Sequence, residues 1–212
     1  MATKPRTIVY VDGFNLYYGA VKGTPYKWLD LQRYFTLLRQ HDDIQAIKYF
    51  TAEIVGPGLV RQQAFLAALA TKPLVEIILG RFKRKKVRCA YTQCASPATP
   101  ARFFDVPEEK RTDVNIAVTM LDDAYQNRCD VFVVVSGDSD LVPAVRMIRH
   151  RFPEKRVIVY VPAQVPQRGQ AVELRTAAND NRTLPLNLLR HAQLPPQIPD
   201  GAGGFIQKPA GW

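Results

Sequence analysis

Residues 131–140 read Val-Phe-Val-Val-Val-Ser-Gly-Asp-Ser-Asp, and the rest of the chain is organised around them. Five consecutive apolar residues, mostly β-branched, predict a strand buried on both faces, as in the middle of a parallel sheet covered by helices. In the polar turn that follows, Asp138 or Ser139 is suited to cap the next helix. Ligands of open α/β sheets bind at the carboxyl ends of strands, so this turn is the first candidate site.

The same arrangement occurs near the start of the chain, where apolar residues 7–11 run straight into Asp12. Two strands that each end in a carboxylate predict that Asp12, Asp138 and Asp140 meet above one edge of the sheet. Gathered carboxylates resist ionising together unless a cation offsets their charge. The pattern therefore indicates a site for a divalent metal ion.

The net charge of +10, from 29 Lys and Arg against 19 Asp and Glu, makes this a basic protein. Because the candidate site is built from acids, the positive charge is expected elsewhere, which suits a polyanionic partner such as RNA. Solubility alone is the alternative explanation. A chain of 212 residues fits one domain whose core needs no disulfides or metal to hold it.

Cysteine usage and the amino terminus bear on location. Three cysteines are too few and too unevenly placed for a disulfide framework, which favours a reducing compartment. The first residues lack the apolar core of a signal peptide, and no apolar run is long enough to span a membrane. A cytoplasmic protein without a membrane partner is expected.

Alternating strand and helix patterns predict an α/β fold, a three-layer sandwich around a mostly parallel sheet. Strands are expected at residues 7–11, 44–55, 75–79, 131–135 and 156–161, with a short edge strand at 172–174. Helices are expected at residues 14–21, after Asp30, at 59–71, 112–126 and 141–151, and as a turn or two at 186–191.

The helix at residues 112–126 carries a further candidate. Thr112 is predicted as its N-cap, and Asp113 lies in the first turn, where the helix dipole favours a carboxylate. That favourable placement is itself a structural explanation of Asp113. Helical periodicity predicts a buried face made of Val114, Ala117, Val118, Leu121 and Ala124 or Tyr125.

A basic insertion at residues 81–107 interrupts the parallel pattern. It begins with six basic residues in nine and no acid, and it predicts a hairpin arm followed by a Pro-rich loop at 96–107. Contact with a phosphate backbone is the favoured role, with aromatic rings stacking on bases; a charged strand edge that blocks aggregation is the alternative. The predicted RNA-binding residues are Arg81, Phe82, Lys83, Arg84, Lys85, Lys86, Arg88, Tyr91, Lys110 and Arg111.

The last residues, 195–212, turn to Pro, Gly and Gln. This composition predicts a flexible tail or a segment that packs on a partner. Because the segment ends in Trp212, a homodimer is one expectation.

Three motifs in order resemble the NYN domain: Asp-Gly-Phe-Asn at residues 12–15, Lys-Arg-Thr-Asp at 110–113 and Ser-Gly-Asp-Ser-Asp at 136–140. That family belongs to the PIN-like superfamily of metal-dependent ribonucleases. The resemblance covers about residues 6 to 180 and places the domain at residues 1–194. It implies a sheet of five or six strands with an acidic pocket that binds Mg²⁺ or Mn²⁺.

The resemblance also implies roles for single residues. By motif position, the acidic residues of the pocket are Asp12, Asp113, Asp138 and Asp140. Asn15 would orient a water or a phosphate oxygen, and Ser136 would support the loop. This chain departs from the family at Arg111, where Gly or Glu is typical.

Relatives in that family often carry cysteine pairs after the third strand, where this chain has Cys89 and Cys94. Two cysteines alone lack the other two ligands of a structural zinc site. Thiols without zinc are therefore expected.

The leading hypothesis is hydrolysis of RNA by metal-activated water, leaving a 5′-phosphate and a 3′-hydroxyl as in the PIN-like group. Asp12 and Asp138 would be the closest ligands, with Asp113 and Asp140 binding directly or through water. One alternative is a non-catalytic RNA-binding or scaffold module with a degenerate site. Another is an NADH-dependent hydroxylase of hydroxypyridines, as some NYN-type chains are described, although the sequence has no dinucleotide fingerprint and no two-histidine iron site.

Overall fold

The structure is a computed structural model that describes residues 3–89, 103–164 and 171–212. Its strands are Arg6–Asp12 (β1), Asp43–Thr51 (β2), Val75–Leu79 (β3), Arg81–Arg88 (β4), Phe103–Lys110 (β5), Val131–Val135 (β6), Arg156–Val161 (β7), Asp180–Thr183 (β8), Gln197–Pro199 (β9) and Phe205–Gln207 (β10). Its α-helices are Gly13–Leu16 (α1), Leu31–Leu38 (α2), Leu59–Ala70 (α3), Thr112–Tyr125 (α4), Val142–Arg151 (α5) and Val172–Ala177 (α6). A π-helical turn, Tyr17–Val21, continues α1, and 3₁₀ turns lie at Ser139–Leu141 and Leu186–His191.

Six strands form one parallel sheet in the order β3-β2-β1-β6-β7-β8. One face packs on α2, α3 and the carboxyl-terminal residues, and the other packs on α4, α5 and α6. The predicted three-layer α/β fold is confirmed. Burial on both faces explains why β1 and β6 read as continuous apolar runs.

The central pair of strands sets the position of the candidate site. β1 and β6 are paired from Thr7 opposite Val131 to Val11 opposite Val135. The next residues along the two strands, Asp12 and Ser136, therefore stand side by side. The chain builds the sheet outward in opposite directions from this pair, so the site lies at a topological switch point.

The predicted buried face of α4 is largely wrong. Val114, Val118 and Tyr125 are 64%, 60% and 62% exposed, whereas Ile116, Met120, Asp123 and Ala124 are buried. The periodicity failed because a charged residue lies on the core side of the helix. Asp123 is buried there by its ion pair with Lys48 of β2, at 2.7 Å, and an apolar pattern cannot reveal such a partner.

Two further expectations are corrected by the structure. Residues 172–174 belong to α6, and the edge strand is β8, whose sequence Asp-Asn-Arg-Thr has no apolar residue. The N-cap of α4 is Arg111 rather than Thr112, with a left-handed φ of 82°. Thr112 is the first helical residue instead, and its backbone N–H and hydroxyl both donate to the carboxylate of Glu109.

The expected hairpin arm is present. β4 and β5 pair antiparallel, from Arg81 opposite Lys110 to Arg88 opposite Phe103. The expected loop at residues 96–107 is therefore wrong for Phe103–Pro107, which are part of β5. Residues 96–102, together with Tyr91 and Cys94, lie outside the described residues.

The carboxyl-terminal segment packs on its own chain rather than forming a flexible tail. β9 and β10 make a short hairpin, and Trp28 Nε1 donates to the Pro195 carbonyl at 2.8 Å. The Trp212 ring lies 5.7 Å from Phe65 and 6.5 Å from Trp28, measured between centroids. Among the described residues, no helix has the length and apolar character needed to cross a membrane.

Candidate metal centre

Asp12 anchors the site at the end of β1. The residue is 3% exposed, and its side chain caps α1, with Oδ1 accepting from the Asn15 backbone N–H at 3.0 Å. Oδ2 accepts from Asn15 Nδ2 at 2.6 Å and from Ser136 Oγ at 3.0 Å. Both oxygens are thus engaged within the protein, which the sequence did not indicate.

Asn15 and Ser136 connect the two strand ends. Asn15 Oδ1 accepts from the Gly137 N–H at 3.1 Å, and Ser136 Oγ accepts from the Asp138 N–H at 3.1 Å. Through these bonds the loop after β1 holds the loop after β6 in place. The geometry makes both residues positioning groups for Asp138; contact of Asn15 with water or phosphate stays a prediction.

Three of the four predicted carboxylates form what we call the acidic cluster: Asp113, Asp138 and Asp140. One carboxylate oxygen from each lies within 4.8 Å of the others. Asp138 also caps the 3₁₀ turn that follows β6, because its Oδ1 accepts from the Asp140 N–H at 2.9 Å. Asp113 reaches the cluster from the first turn of α4.

The charges of the cluster oppose one another. The pKa of Asp113 is raised to about 6, first by burial and then by the charges of Asp138, Asp12, Glu109 and Asp140. Burial also raises the pKa of Asp12, although the hydrogen bonds from Asn15 and Ser136 counteract this. A cation placed among these carboxylates would remove the repulsion.

The donor set suits a hard divalent cation. Carboxylate oxygens are the ligands that Mg²⁺ takes at about 2.1 Å, so two of them on one ion lie at most about 4.2 Å apart. Three carboxylate oxygens of the acidic cluster, one from each residue, lie within 4.8 Å of one another, close to this limit, so binding of one ion would draw them slightly closer together. Asp113, Asp138 and Asp140 can therefore hold one ion, with Asp12 in the layer behind them.

We expect Asp113→Asn to stabilise the metal-free protein above about pH 6 but not below its ordinary pKa of 3.8. The folded-state pKa is raised to about 6, so the free energy of unfolding falls as pH rises between these values. Asparagine carries no charge and avoids this loss. Above pH 6 the free energy of unfolding should therefore be higher in the variant by about 1 kcal/mol, after allowance for solvent screening. Urea unfolding in EDTA, below pH 3.8 and above pH 6, measures the free energy of unfolding of both proteins. An equal stabilisation by Asp113→Asn at the two pH values would contradict the electrostatic cause.

The root of the β4–β5 hairpin lies against the site. Phe82 contacts Phe14 edge to face, with centroids 5.7 Å apart, and Glu109 on the opposite strand binds Thr112. Gly80 permits this approach, because a Cβ there would lie 2.8 Å from the Lys110 carbonyl oxygen. The hairpin therefore leaves the domain next to the acidic cluster.

The basic residues of the hairpin are exposed. Residues directly opposite on paired strands share a face of the hairpin. Phe82 and Glu109 are such a pair, and because they contact Phe14 and Thr112, their face of the hairpin faces the domain. Arg81, Lys83, Lys85 and Lys110 share the other face, where Glu108 lies 3.1 Å from Lys110 and 3.4 Å from Lys85. The positive charges on this face of the hairpin are therefore exposed to solvent.

Sequence reasoning missed Tyr49 and Glu109 near the site. The pKa of Tyr49 is raised by burial and by the nearby charge of Asp12. Gly13 lets the Tyr49 ring approach, since a Cβ at residue 13 would lie 2.8 Å from it. The Gly at residue 13 immediately after a strand was the only sequence signal of this close contact.

Comparisons with known proteins agree with the fold. The chain is 32% identical to 6-hydroxy-3-succinoylpyridine 3-monooxygenase HspA of Pseudomonas putida (strain DSM 28022 / S16), over 98% of this chain and 75% of that protein. A structure of a protein of unknown function, VPA0982 from Vibrio parahaemolyticus RIMD 2210633, superposes with a TM-score of 0.54 at 20% identity. It covers 87% of this chain and 97% of that one, a likeness of fold alone.

The profile of the NYN domain matches residues 6–184, which include both strand-end loops and the acidic cluster. This match spans most of the chain, and the resemblance carried by the three motifs is confirmed. The chain belongs to the NYN domain family.

Proposed function

We propose that this protein is a metal-dependent ribonuclease that hydrolyses RNA phosphodiester bonds at the acidic cluster. The observation that carries the proposal is the meeting of Asp113, Asp138 and Asp140 at the switch point of the sheet, with the pKa of Asp113 raised to about 6. Such repulsion between carboxylates destabilises the metal-free protein, and it is typical of sites that bind a cation.

In this proposal the acidic cluster holds Mg²⁺ or Mn²⁺ through carboxylate oxygens. The ion would lower the pKa of a bound water and offset charge on the phosphate oxygens. Asp12 does not need to contact the ion, because its hydrogen bonds to Asn15 and Ser136 hold the loop that presents Asp138. Hydrolysis would leave a 5′-phosphate and a 3′-hydroxyl.

A cleavage assay tests the proposal. Single-stranded RNA labelled at either end is incubated with Mn²⁺ or with EDTA, and the product termini are identified. Cleavage that requires the metal, leaves a 5′-phosphate and follows the protein peak during purification is the expected result. RNA that binds in EDTA but is never cut would instead favour the non-catalytic binding module.

The exposed hairpin residues are expected to bind the RNA backbone. Changing Arg81 and Lys83, both exposed on β4, to Ala should weaken RNA binding. It should also reduce the slope of log K against log salt by about one for each phosphate that the variant no longer neutralises. Binding is measured in EDTA, so that cleavage does not interfere. Arg146→Ala, on the exposed side of α5, is the matched control. An unchanged slope in the hairpin variant would remove the hairpin from the binding surface.

A second candidate function follows from one observation, the 32% identity to HspA over 98% of this chain. On this reading the protein would hydroxylate a small hydroxypyridine with O₂. One oxygen atom would enter the ring, and NADH would supply the two electrons that reduce the other atom to water. Consumption of NADH that depends on 6-hydroxy-3-succinoylpyridine, in a preparation without metal-dependent RNA cleavage, would favour this function over the first.

A further inference from the structure

A cavity of about 340 Å³ opens beside the loop that holds Asp12. It lies between α1 with its π-helical turn, the end of β2, α3 and the last residues of the chain. Its aromatic lining residues are Phe14, Tyr17, Tyr18, Tyr49, Phe65 and Trp212. This volume is at the lower end of the range for small-molecule sites, about 300–1,000 Å³, and we call it the aromatic cavity.

The aromatic cavity shares a wall with the metal centre. Gly13 lines the cavity and directly follows Asp12, and Tyr49 lies close enough for the Asp12 charge to raise its pKa. Phe14 also lines the cavity while its ring contacts Phe82 of the hairpin. A molecule in the cavity would therefore lie next to the loop that carries Asp12 and next to the first residues of the β4–β5 hairpin.

Two cations, Lys27 and Arg61, also line the cavity. Among residues 3–89, 103–164 and 171–212, neither forms an ion pair with a carboxylate. By contrast, Lys72 at the end of α3 is paired with Asp30 at 2.8 Å. The positive charge of Lys27 and Arg61 is thus available to an anionic group of a ligand.

Trp212 closes one side of the cavity and carries an unsatisfied donor. Its indole N–H is buried and has no acceptor within the described part of the chain. A buried donor without a partner is costly. A nucleobase offers carbonyl and ring-nitrogen acceptors, which a purely alkyl ligand lacks.

We infer that the aromatic cavity binds one nucleobase of the RNA, with Lys27 and Arg61 contacting its phosphate. The inference rests on the proposed ribonuclease function, because it places one base of the substrate beside the Asp12 loop of the site where the backbone would be cut. Base stacking on aromatic rings accepts any base, so the cavity confers affinity and position rather than strict sequence preference.

Nucleotide titration in EDTA tests this inference without catalysis. UMP and AMP are added while tryptophan fluorescence is recorded, because Trp212 lines the cavity. Saturable quenching is expected with both. Trp212→Phe should remove most of the signal, and Arg61→Glu should weaken binding by about tenfold or more. Arg61 is exposed, so its replacement does not endanger the fold, and Arg146→Glu is the charge-matched control.

Two further ligands, ribose 5-phosphate and a hydroxypyridine carboxylate, test whether the cavity recognises the nucleobase. Ribose 5-phosphate that binds as tightly as UMP would overturn the inference, because the ring would then contribute nothing. A hydroxypyridine carboxylate that binds where UMP and AMP do not would also overturn it and assign the cavity to the second candidate function.

Failure of the inference and failure of the proposed function are separable. RNA cleavage with Mn²⁺ but no nucleotide binding in EDTA overturns only the cavity assignment. Nucleotide binding that is lost in Arg61→Glu, without any RNA cleavage, supports the cavity and overturns only the hydrolase.

Discussion

Asp138→Asn is expected to lower the proposed Mn²⁺-dependent RNA cleavage by about 10³-fold, since loss of the proposed direct ligand should exceed the 10–100-fold effect of an outer-shell change. Asp138 is the member of the acidic cluster that leaves the central strand β6. Asparagine keeps a side-chain oxygen that can accept from the Asp140 N–H, the bond now made at 2.9 Å. The 3₁₀ turn should therefore persist while the charge that attracts the cation is lost.

Asp43→Asn is the matched control for this variant. Asp43 is exposed at the amino-terminal start of β2, the opposite end of the sheet from the acidic cluster, and its replacement should leave cleavage unchanged. Calorimetry with Mn²⁺ gives a second readout, in which binding should weaken in Asp138→Asn alone. Full activity in a folded Asp138→Asn protein would overturn the metal-centre proposal.

The largest expected loss of stability comes from Lys48→Met, at about 3 kcal/mol. Lys48 Nζ lies 2.7 and 2.9 Å from the two oxygens of Asp123, a side chain with no exposed surface. Tyr10 and Arg128 also donate to Asp123, at 2.7 and 2.8 Å. Removal of Lys48 would leave the Asp123 carboxylate buried without the positive charge that now offsets it.

Urea unfolding measures this loss, and Lys85→Met provides the comparison. Lys85 pairs with Glu108 on the exposed hairpin at 3.4 Å, so its replacement should cost less than about 1 kcal/mol. The double variant with Lys48→Met and Asp123→Leu should lose less than the sum of the single changes, because the buried charge is also gone. If Lys48→Met lowers the free energy of unfolding by less than about 1 kcal/mol, the hydrogen bonds from Tyr10 and Arg128 are enough to stabilise the buried Asp123 carboxylate.

The buried strands and the polar residues at their carboxyl ends could be read from the sequence, because strand burial is a local property. A run such as Val131–Val135 must lie between two layers, and the polar residues after it must emerge at the strand end. The same reasoning at Arg6–Asp12 placed Asp12 beside the second loop, as the pairing of β1 and β6 shows. The meeting of Asp138 with Asp140 follows from their adjacency in the turn.

The polar partners of Asp12 were decided only by the tertiary structure. Sequence reasoning made this carboxylate one of the closest ligands, but its oxygens accept hydrogen bonds from Asn15 and Ser136. Ser136 is 124 residues away along the chain. A motif shows which residue types recur at a strand end, but not which of their atoms are already paired.

What the sequence alone determined is the α/β class, the central strands and the strand-end acids, since each depends on a short run of neighbouring residues. Only the tertiary structure decided which face of α4 is buried, that the polar β8 is the edge strand, and that Trp212 packs on Phe65. The physical reason is the same in each case. A side chain such as Asp123 is buried because a partner from a distant strand compensates its charge, and that partner leaves no trace in the local pattern.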